Sequence, residues 1–121
     1  MSNAALFVSW GRPMVGRETK ALEVFSQVME FYATQKAKGK ISDFRTYLTT
    51  NGELSQLGGF MIIEGSVAQC RELVDSEDYQ KLLLKGGHVI ENLQAVHLAT
   101  GDEIQKTIGR VLEVRKQLGI V

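Results

Sequence analysis

Cysteine, proline and tryptophan are scarce in this sequence, with one of each among 121 residues. A single cysteine, Cys70, excludes an internal disulfide and every metal site built from several cysteines. Such cysteine usage is typical of a reducing compartment, so we expect a cytoplasmic protein. The two histidines, His88 and His97, have no cluster of carboxylates near them in the sequence, so no metal site is expected.

An excess of charge and long apolar runs are also absent from the sequence. Fourteen basic residues balance fourteen acidic ones, so no net field attracts nucleic acid or an anionic membrane. No stretch approaches the roughly 18 apolar residues that span a bilayer, and the chain does not open like a signal peptide. Phosphate-binding glycine loops and nucleophile elbows are missing, so we expect no bound cofactor.

The composition that remains is that of an ordinary globular protein, with 44% hydrophobic and 23% charged residues. A chain of this length buries roughly two-thirds of its unfolded surface, which is enough for a core. We find no internal repeat or linker and predict one domain over residues 1–121, with a core over about 5–100.

Hydrophobic periodicity predicts four strands and several helices. The strands are predicted at residues 5–10, 41–49, 57–64 and 92–99. The helices are predicted at about 17–38, 66–74, 79–84 and 102–118. Ser66 and Gln69 form a capping-box pattern at the start of the second helix, and Gly86–Gly87 is expected to end the third.

The order of these elements is β-α-β-β-α-β with an added C-terminal helix. This order is the split pattern of the ferredoxin-like α+β fold. It predicts a four-stranded antiparallel sheet that carries its helices on one face.

Three of the predicted strands carry apolar residues on both sides, at 6–8, 60–63 and 96–98. The helices cover one face of the sheet, and a bare second face would leave a larger apolar patch than monomers normally expose. We therefore predict that two copies pack face to face as a symmetric homodimer. In the alternative, the C-terminal helix covers the second face within one chain.

The order of elements, the long first helix and two local motifs resemble the dimeric α+β barrel superfamily. The motifs are Gly16-Arg-Glu18 and Leu73-Val-Asp-Ser-Glu-Asp-Tyr79-Gln, and the similarity covers about residues 6–100. That superfamily includes uncharacterised bacterial proteins and antibiotic-biosynthesis-type monooxygenases, so the resemblance implies a dimeric barrel that works without a bound cofactor. The residue set of its haem-degrading members does not map onto this chain.

Strand alternation suggests which side chains face a cavity on the open side of the sheet. If Val96 and Leu98 point towards the helices, His97 points towards the cavity. Alternation along the other strands predicts that a group of polar and aromatic side chains converges on this cavity. The group consists of Trp10, Arg45, Tyr47, Phe60, Ile62, Glu64 and His97.

Within this group, His97 and Tyr47 are the candidate catalytic residues. The intrinsic pKa of histidine suits a general acid or base, and Tyr47 or Arg45 would orient a ligand. Structural alternatives stay open: Arg45 and Glu64 form a cross-strand ion pair, while Tyr47, His97 and Trp10 serve in packing.

Three functions are compatible with these observations. The first is a homodimer that binds a small apolar molecule in the predicted cavity. The second is a cofactor-independent monooxygenase or isomerase that acts on an apolar or aromatic molecule. The third is a structural or partner-binding protein whose own side chains fill the barrel.

Overall fold

The computed structural model describes residues 2–120 of the chain. This part contains four strands and four helices in the predicted order. The strands are β1 (Ala4–Trp10), β2 (Asp43–Leu48), β3 (Gly59–Gly65) and β4 (Gln94–Ala99). The helices are α1 (Glu18–Ala37), α2 (Val67–Asp75), α3 (Glu77–Gly87) and α4 (Asp102–Gln117).

The strands form one antiparallel sheet in the order β2-β3-β1-β4. This arrangement confirms the predicted ferredoxin-like α+β fold. The register places Leu6 opposite Ile63 and His97, and Phe7 opposite Ile62 and Val96. Because directly opposed residues share a face of the sheet, these pairings fix the face on which each side chain lies.

The inner face of the sheet, which we define as the side bearing Leu6, is covered by helices α1, α2 and α3. Leu6 and Ile63 are completely buried there, and Tyr32 of α1 and Leu73 of α2 belong to the same core cluster. The alternating burial along β3 agrees with a strand whose second face is more open.

The start of α2 confirms the predicted capping box. The Ser66 hydroxyl accepts a hydrogen bond from the Gln69 amide, while the Gln69 side chain accepts one from the Ser66 amide. Helix α3 ends at the predicted glycine pair, but it includes both glycines: its last residue is Gly87 and its cap is His88. Gly86 is buried, and a Cβ there would lie 2.9 Å from the end of the Leu93 side chain, which would have to shift.

The outer face of the sheet, which bears Phe7, stays largely uncovered by the protomer. Tyr47 and Val96 are each 43% exposed on it. Helix α4 has no buried residue among 102–117 and packs chiefly beside β4. The chain therefore does not fold α4 across this face, contrary to the alternative raised for a monomer.

Within residues 2–120, no helix has the length and hydrophobicity to cross a membrane. The same residues contain no group of three or more histidine, cysteine or acidic side chains that could hold a metal ion.

Candidate functional site

Five of the seven predicted site residues lie together on the outer face. Tyr47 stacks on Phe60 with a ring separation of 4.9 Å, and Phe7 lies 5.3 Å from Phe60 on its other side. Arg45 and Glu64 form an ion pair, with Nη2 and Oε1 3.6 Å apart. The last of the five, Ile62, lies opposite Arg45 and Phe7.

The polar edge of this outer-face group is a network of exposed charges. The Tyr47 hydroxyl and the carboxylate of Glu64 raise the pKa of Arg45. A hydrogen bond from Lys36 lowers the pKa of the adjacent Asp43. Both effects favour the charged forms of Arg45 and Asp43. Arg45 and Glu64 thus form the cross-strand ion pair that was the structural alternative for these two residues.

The two remaining predicted residues, His97 and Trp10, lie on the opposite face from the one expected. His97 is paired with the core residue Leu6 and therefore lies on the inner face, where it is exposed at the sheet edge. Trp10 packs against Phe25 of α1, with ring centroids 5.9 Å apart. The predicted convergence of all seven side chains on one face is therefore wrong.

The physical reason lies in the position of β4 at the edge of the sheet. The prediction assumed that Val96 and Leu98 face the helices because apolar side chains usually do. Both instead lie on the outer face, 43% and 37% exposed, while Ala95 and His97 occupy the inner side. Helices packed over the centre of the sheet do not bury its edge, so that inner position tolerates a histidine.

A cavity of about 330 Å³ lies between the inner face, α1 and α3. Its walls are almost entirely apolar and include several aromatic rings. The aromatic residues that line it are Trp10, Phe25, Tyr32 and Tyr79. The described lining of the cavity includes Trp10 from the predicted group but not His97.

A hydrogen-bonded pair of tyrosines lies at the cavity wall, whose other polar residues are Arg12 and Thr49. The Tyr32 and Tyr79 hydroxyl oxygens are 2.9 Å apart, and both side chains are buried. Burial is the main cause that raises the pKa of each phenol. Both tyrosines therefore keep their protons at neutral pH and act as hydrogen-bond partners rather than bases.

Exposed leucines mark the mouth of the cavity. Leu22, Leu48 and Leu54 line it and are 69%, 63% and 44% exposed. Arg12 also lines the cavity, and its guanidinium is paired with the Glu91 carboxylate at 3.1 Å. This rim is apolar apart from a charge that is already paired.

Two glycines let the segments at the mouth approach closely. The Gly58 amide donates a 2.6 Å hydrogen bond to the Trp10 carbonyl. A Cβ at Gly58 would lie 2.1 Å from the Gly11 carbonyl oxygen, so a side chain cannot be accommodated. Close approach of the two backbone segments therefore requires glycine at position 58.

Tyr32 and Tyr79 are not among the site residues predicted from the sequence. Tyr32 belongs to the apolar stripe of α1, and Tyr79 belongs to the motif on which the superfamily resemblance rests. The sequence pattern around each of them is that of a core residue. The available signal was that two of the three tyrosines lie on apolar helix faces, where a phenol needs a buried partner.

Comparison with known proteins identifies the fold. No family profile and no curated protein matches the sequence. A dimeric ferredoxin-like protein of unknown function from Bacteroides fragilis matches with a TM-score of 0.61 and 12% identity, over 79% of this chain and 94% of its own. A conserved protein from Methanosarcina mazei matches with a TM-score of 0.61 and 8% identity, over 82% and 94%.

A third solved structure is that of SnoaB, a cofactor-independent oxygenase from Streptomyces nogalater. It matches with a TM-score of 0.52 and 12% identity, over 82% of this chain and 94% of its own. At these identities the likeness concerns the fold alone. The chain thus has the ferredoxin-like fold of these proteins, as the sequence resemblance predicted.

Proposed function

We propose that the protein is a homodimer that binds a small, neutral aromatic molecule in the cavity between α1, α3 and the inner face. The observation that carries this proposal is the aromatic, almost wholly apolar lining around a buried tyrosine pair. The cavity volume of about 330 Å³ is within the range of small-molecule sites. This site differs from the outer-face cavity expected from the sequence.

The tyrosine pair is the polar feature that a ligand would meet if the side chains covering it shift, since Tyr32 and Tyr79 are 0% and 1% exposed. When one hydroxyl donates to the other, the accepting hydroxyl keeps its own proton for a further hydrogen bond. Because the raised pKa values keep both phenols protonated, the favoured ligand carries an acceptor such as a ketone oxygen. The one charged residue of the described lining, Arg12, is paired with Glu91, which favours a neutral ligand.

Binding can be measured through Trp10, the one tryptophan of the sequence, because it lines the cavity. The probe is 1-tetralone, a bicyclic aromatic ketone, and its matched control is tetralin, which lacks the oxygen. We expect 1-tetralone to change Trp10 emission and to bind more tightly than tetralin. The double variant Tyr32→Phe/Tyr79→Phe is expected to remove the difference between the two ligands.

A pair of identical substitutions distinguishes the two faces of the sheet. Phe25→Leu removes an aromatic ring from the cavity wall, whereas Phe60→Leu removes one from the outer face. Weaker 1-tetralone binding in Phe25→Leu alone supports the proposal. Weaker binding in Phe60→Leu alone would return the site to the outer face, and no binding to the native protein would contradict the ligand assignment.

The homodimer is proposed from the outer face. Phe7, Phe60, Ile62, Val96 and Leu98 form an apolar surface there that the protomer leaves partly exposed. A second copy, packed face to face, would exclude water from both surfaces at once. The description of the Bacteroides fragilis protein as dimeric is compatible with this arrangement. Sedimentation equilibrium tests it, because a monomer at micromolar concentrations would contradict it.

A second candidate function is a cofactor-independent monooxygenase, which the shared fold of SnoaB and the tyrosine-lined cavity favour. In such a reaction 1-naphthol and O₂ would give 1,4-naphthoquinone and water, so the substrate supplies all four electrons that reduce O₂. Oxygen uptake above the protein-free rate, lost in Tyr32→Phe/Tyr79→Phe, would support it. The acid-base role of His97 stays a prediction, which His97→Ala tests against His88→Ala.

A further inference from the structure

Helix α4 carries an apolar stripe that its own chain leaves exposed. Ile104, Ile108 and Val111 follow one another at four- and three-residue steps, so they lie on one side of the helix. Their exposed fractions are 43%, 46% and 53%. Leu112 and Leu118 flank and extend the stripe and are also exposed.

The other side of α4 is polar and already has its partners within the helix. Glu103 is paired with Lys106 and Arg110, which places these three side chains together. Gln117 lies on this side by the same helical spacing. The helix is therefore amphipathic, and its own chain contacts it chiefly along β4.

A solvated helix of this kind lacks a source of stability. At 16 residues α4 is close to the length at which isolated helices are marginal in water, about 12–15 residues. Helices in proteins gain most of their stability when the apolar face is packed. The stripe thus needs a partner surface that the protomer does not offer.

We propose that α4 is an arm that packs its stripe onto the second copy of the chain. This inference rests on the homodimer proposed above. The helix follows β4 directly, and the exposed outer-face residues Val96 and Leu98 belong to that strand. The exposed stripe of α4 and the exposed outer face are therefore neighbours at β4, the edge strand of the sheet.

The area that a dimer needs supports the same assignment. Four strands of six or seven residues give an outer face of roughly 15 by 20 Å, or about 300 Å² in projection. If side-chain relief doubles this value to about 600 Å², it reaches only the lower end of the roughly 600–1,000 Å² per partner of a standard interface. Helix α4 is about 24 Å long and 10 Å wide. If each protomer packs its α4 onto the other, the area buried per partner increases accordingly.

Site-specific photo-crosslinking tests the contact in the full chain. A benzophenone amino acid placed at Ile108, on the stripe, should join two chains and give a product of twice the mass on a denaturing gel. The same group at Gln117, on the polar side, should give none. A stripe crosslink confined to one chain, or absent, would overturn the proposal.

Sedimentation equilibrium provides a second and independent measurement. Val111→Lys should raise the dimer dissociation constant by about tenfold or more, because it buries a charge in the contact. Gln117→Lys adds the same side chain on the polar side and should leave the constant unchanged. If Val111→Lys lowers folding instead, the crosslinking result decides.

The outcomes separate this inference from the proposals on which it builds. A native protein that stays monomeric overturns both the homodimer and the arm. A dimer that Val111→Lys does not weaken and that gives no stripe crosslink overturns the arm alone. Neither result affects 1-tetralone binding in the inner cavity.

Discussion

The two faces of the sheet differ in how their apolar side chains are kept from water. On the inner face, Leu6, Met61 and Ile63 are buried by the chain's own helices. On the outer face, Phe7, Phe60 and Ile62 are only partly buried, and they contact one another along the sheet. The inner face thus stabilises the protomer, while the outer face presents a surface suited to another copy.

The faces also differ in where chemistry is available. The inner face borders an apolar cavity with two buried, protonated phenols at its wall. The outer face carries the exposed ion pair of Arg45 and Glu64 beside stacked aromatic rings. A hydrogen bond between buried hydroxyls is isolated from water, whereas an exposed ion pair is largely screened.

The largest expected effect comes from neighbouring isoleucines of β3 that point to opposite faces. Ile63→Ala empties a fully buried site and should lower the free energy of unfolding by about 3–4 kcal/mol. Ile62→Ala should cost the dilute, monomeric protein less than about 1.5 kcal/mol, since its side chain is only half buried. Urea denaturation measures both.

If Ile63→Ala and Ile62→Ala lower the free energy of unfolding equally at low protein concentration, the proposed difference between the two faces is wrong. If the homodimer forms, the cost of Ile62→Ala should appear at higher concentration as weaker association. A change in the dimer dissociation constant for Ile63→Ala with no loss of protomer stability would also contradict the assignment of the faces.

A smaller effect is expected from the tyrosine pair on the inner side. Tyr32→Phe leaves the Tyr79 hydroxyl buried without its partner and should cost about 1–3 kcal/mol. The double variant Tyr32→Phe/Tyr79→Phe removes both polar groups, so it should cost less than the two single variants added together. Additive costs in a double-mutant cycle would indicate that the hydroxyls act independently.

The same pair predicts how stability depends on alkaline pH. Burial raises the pKa of both phenols in the folded protein above the unfolded value of about 10. Their contribution is therefore fully present below about pH 10 and is lost as the pH rises from there towards the folded values, because the unfolded chain releases protons first. Tyr47→Phe, on the outer face, is the matched control.

Urea denaturation between neutral and alkaline pH tests this dependence. The free energy of unfolding should fall above about pH 10 in the native protein and less steeply in Tyr32→Phe/Tyr79→Phe. If only Tyr47→Phe changes this dependence on pH, the phenol responsible lies on the outer face, which would contradict the prediction.

The sequence predicts the order of the elements and five of the residues that lie on the outer face. Capping at Ser66 and alternation along 59–65 are local signals, and local signals identify strands and helix starts. Alternation also groups side chains that share a face, which is why Arg45, Tyr47, Phe60 and Glu64 were brought together correctly.

Alternation does not say which of the two faces meets the helices. The error at His97 arose at this step, since only the pairing with Leu6 assigns it to the inner side. The cavity could not be predicted either, because it depends on how α1 and α3 separate above the sheet. Tyr32 and Tyr79 meet across 47 residues of sequence, and no local pattern records that contact.

The smallest effect is expected from the ion pair between β2 and β3 on the outer face. Arg45 and Glu64 are both exposed, and an exposed ion pair commonly contributes nothing measurable to stability. Arg45→Ala should therefore leave both the urea midpoint and the salt dependence of unfolding unchanged. A marked loss of dimer in Arg45→Ala, recovered in Arg45→Ala/Glu64→Ala, would mean that the pair is buried between two copies and that the interface extends to β2, because only a desolvated carboxylate suffers from losing its partner.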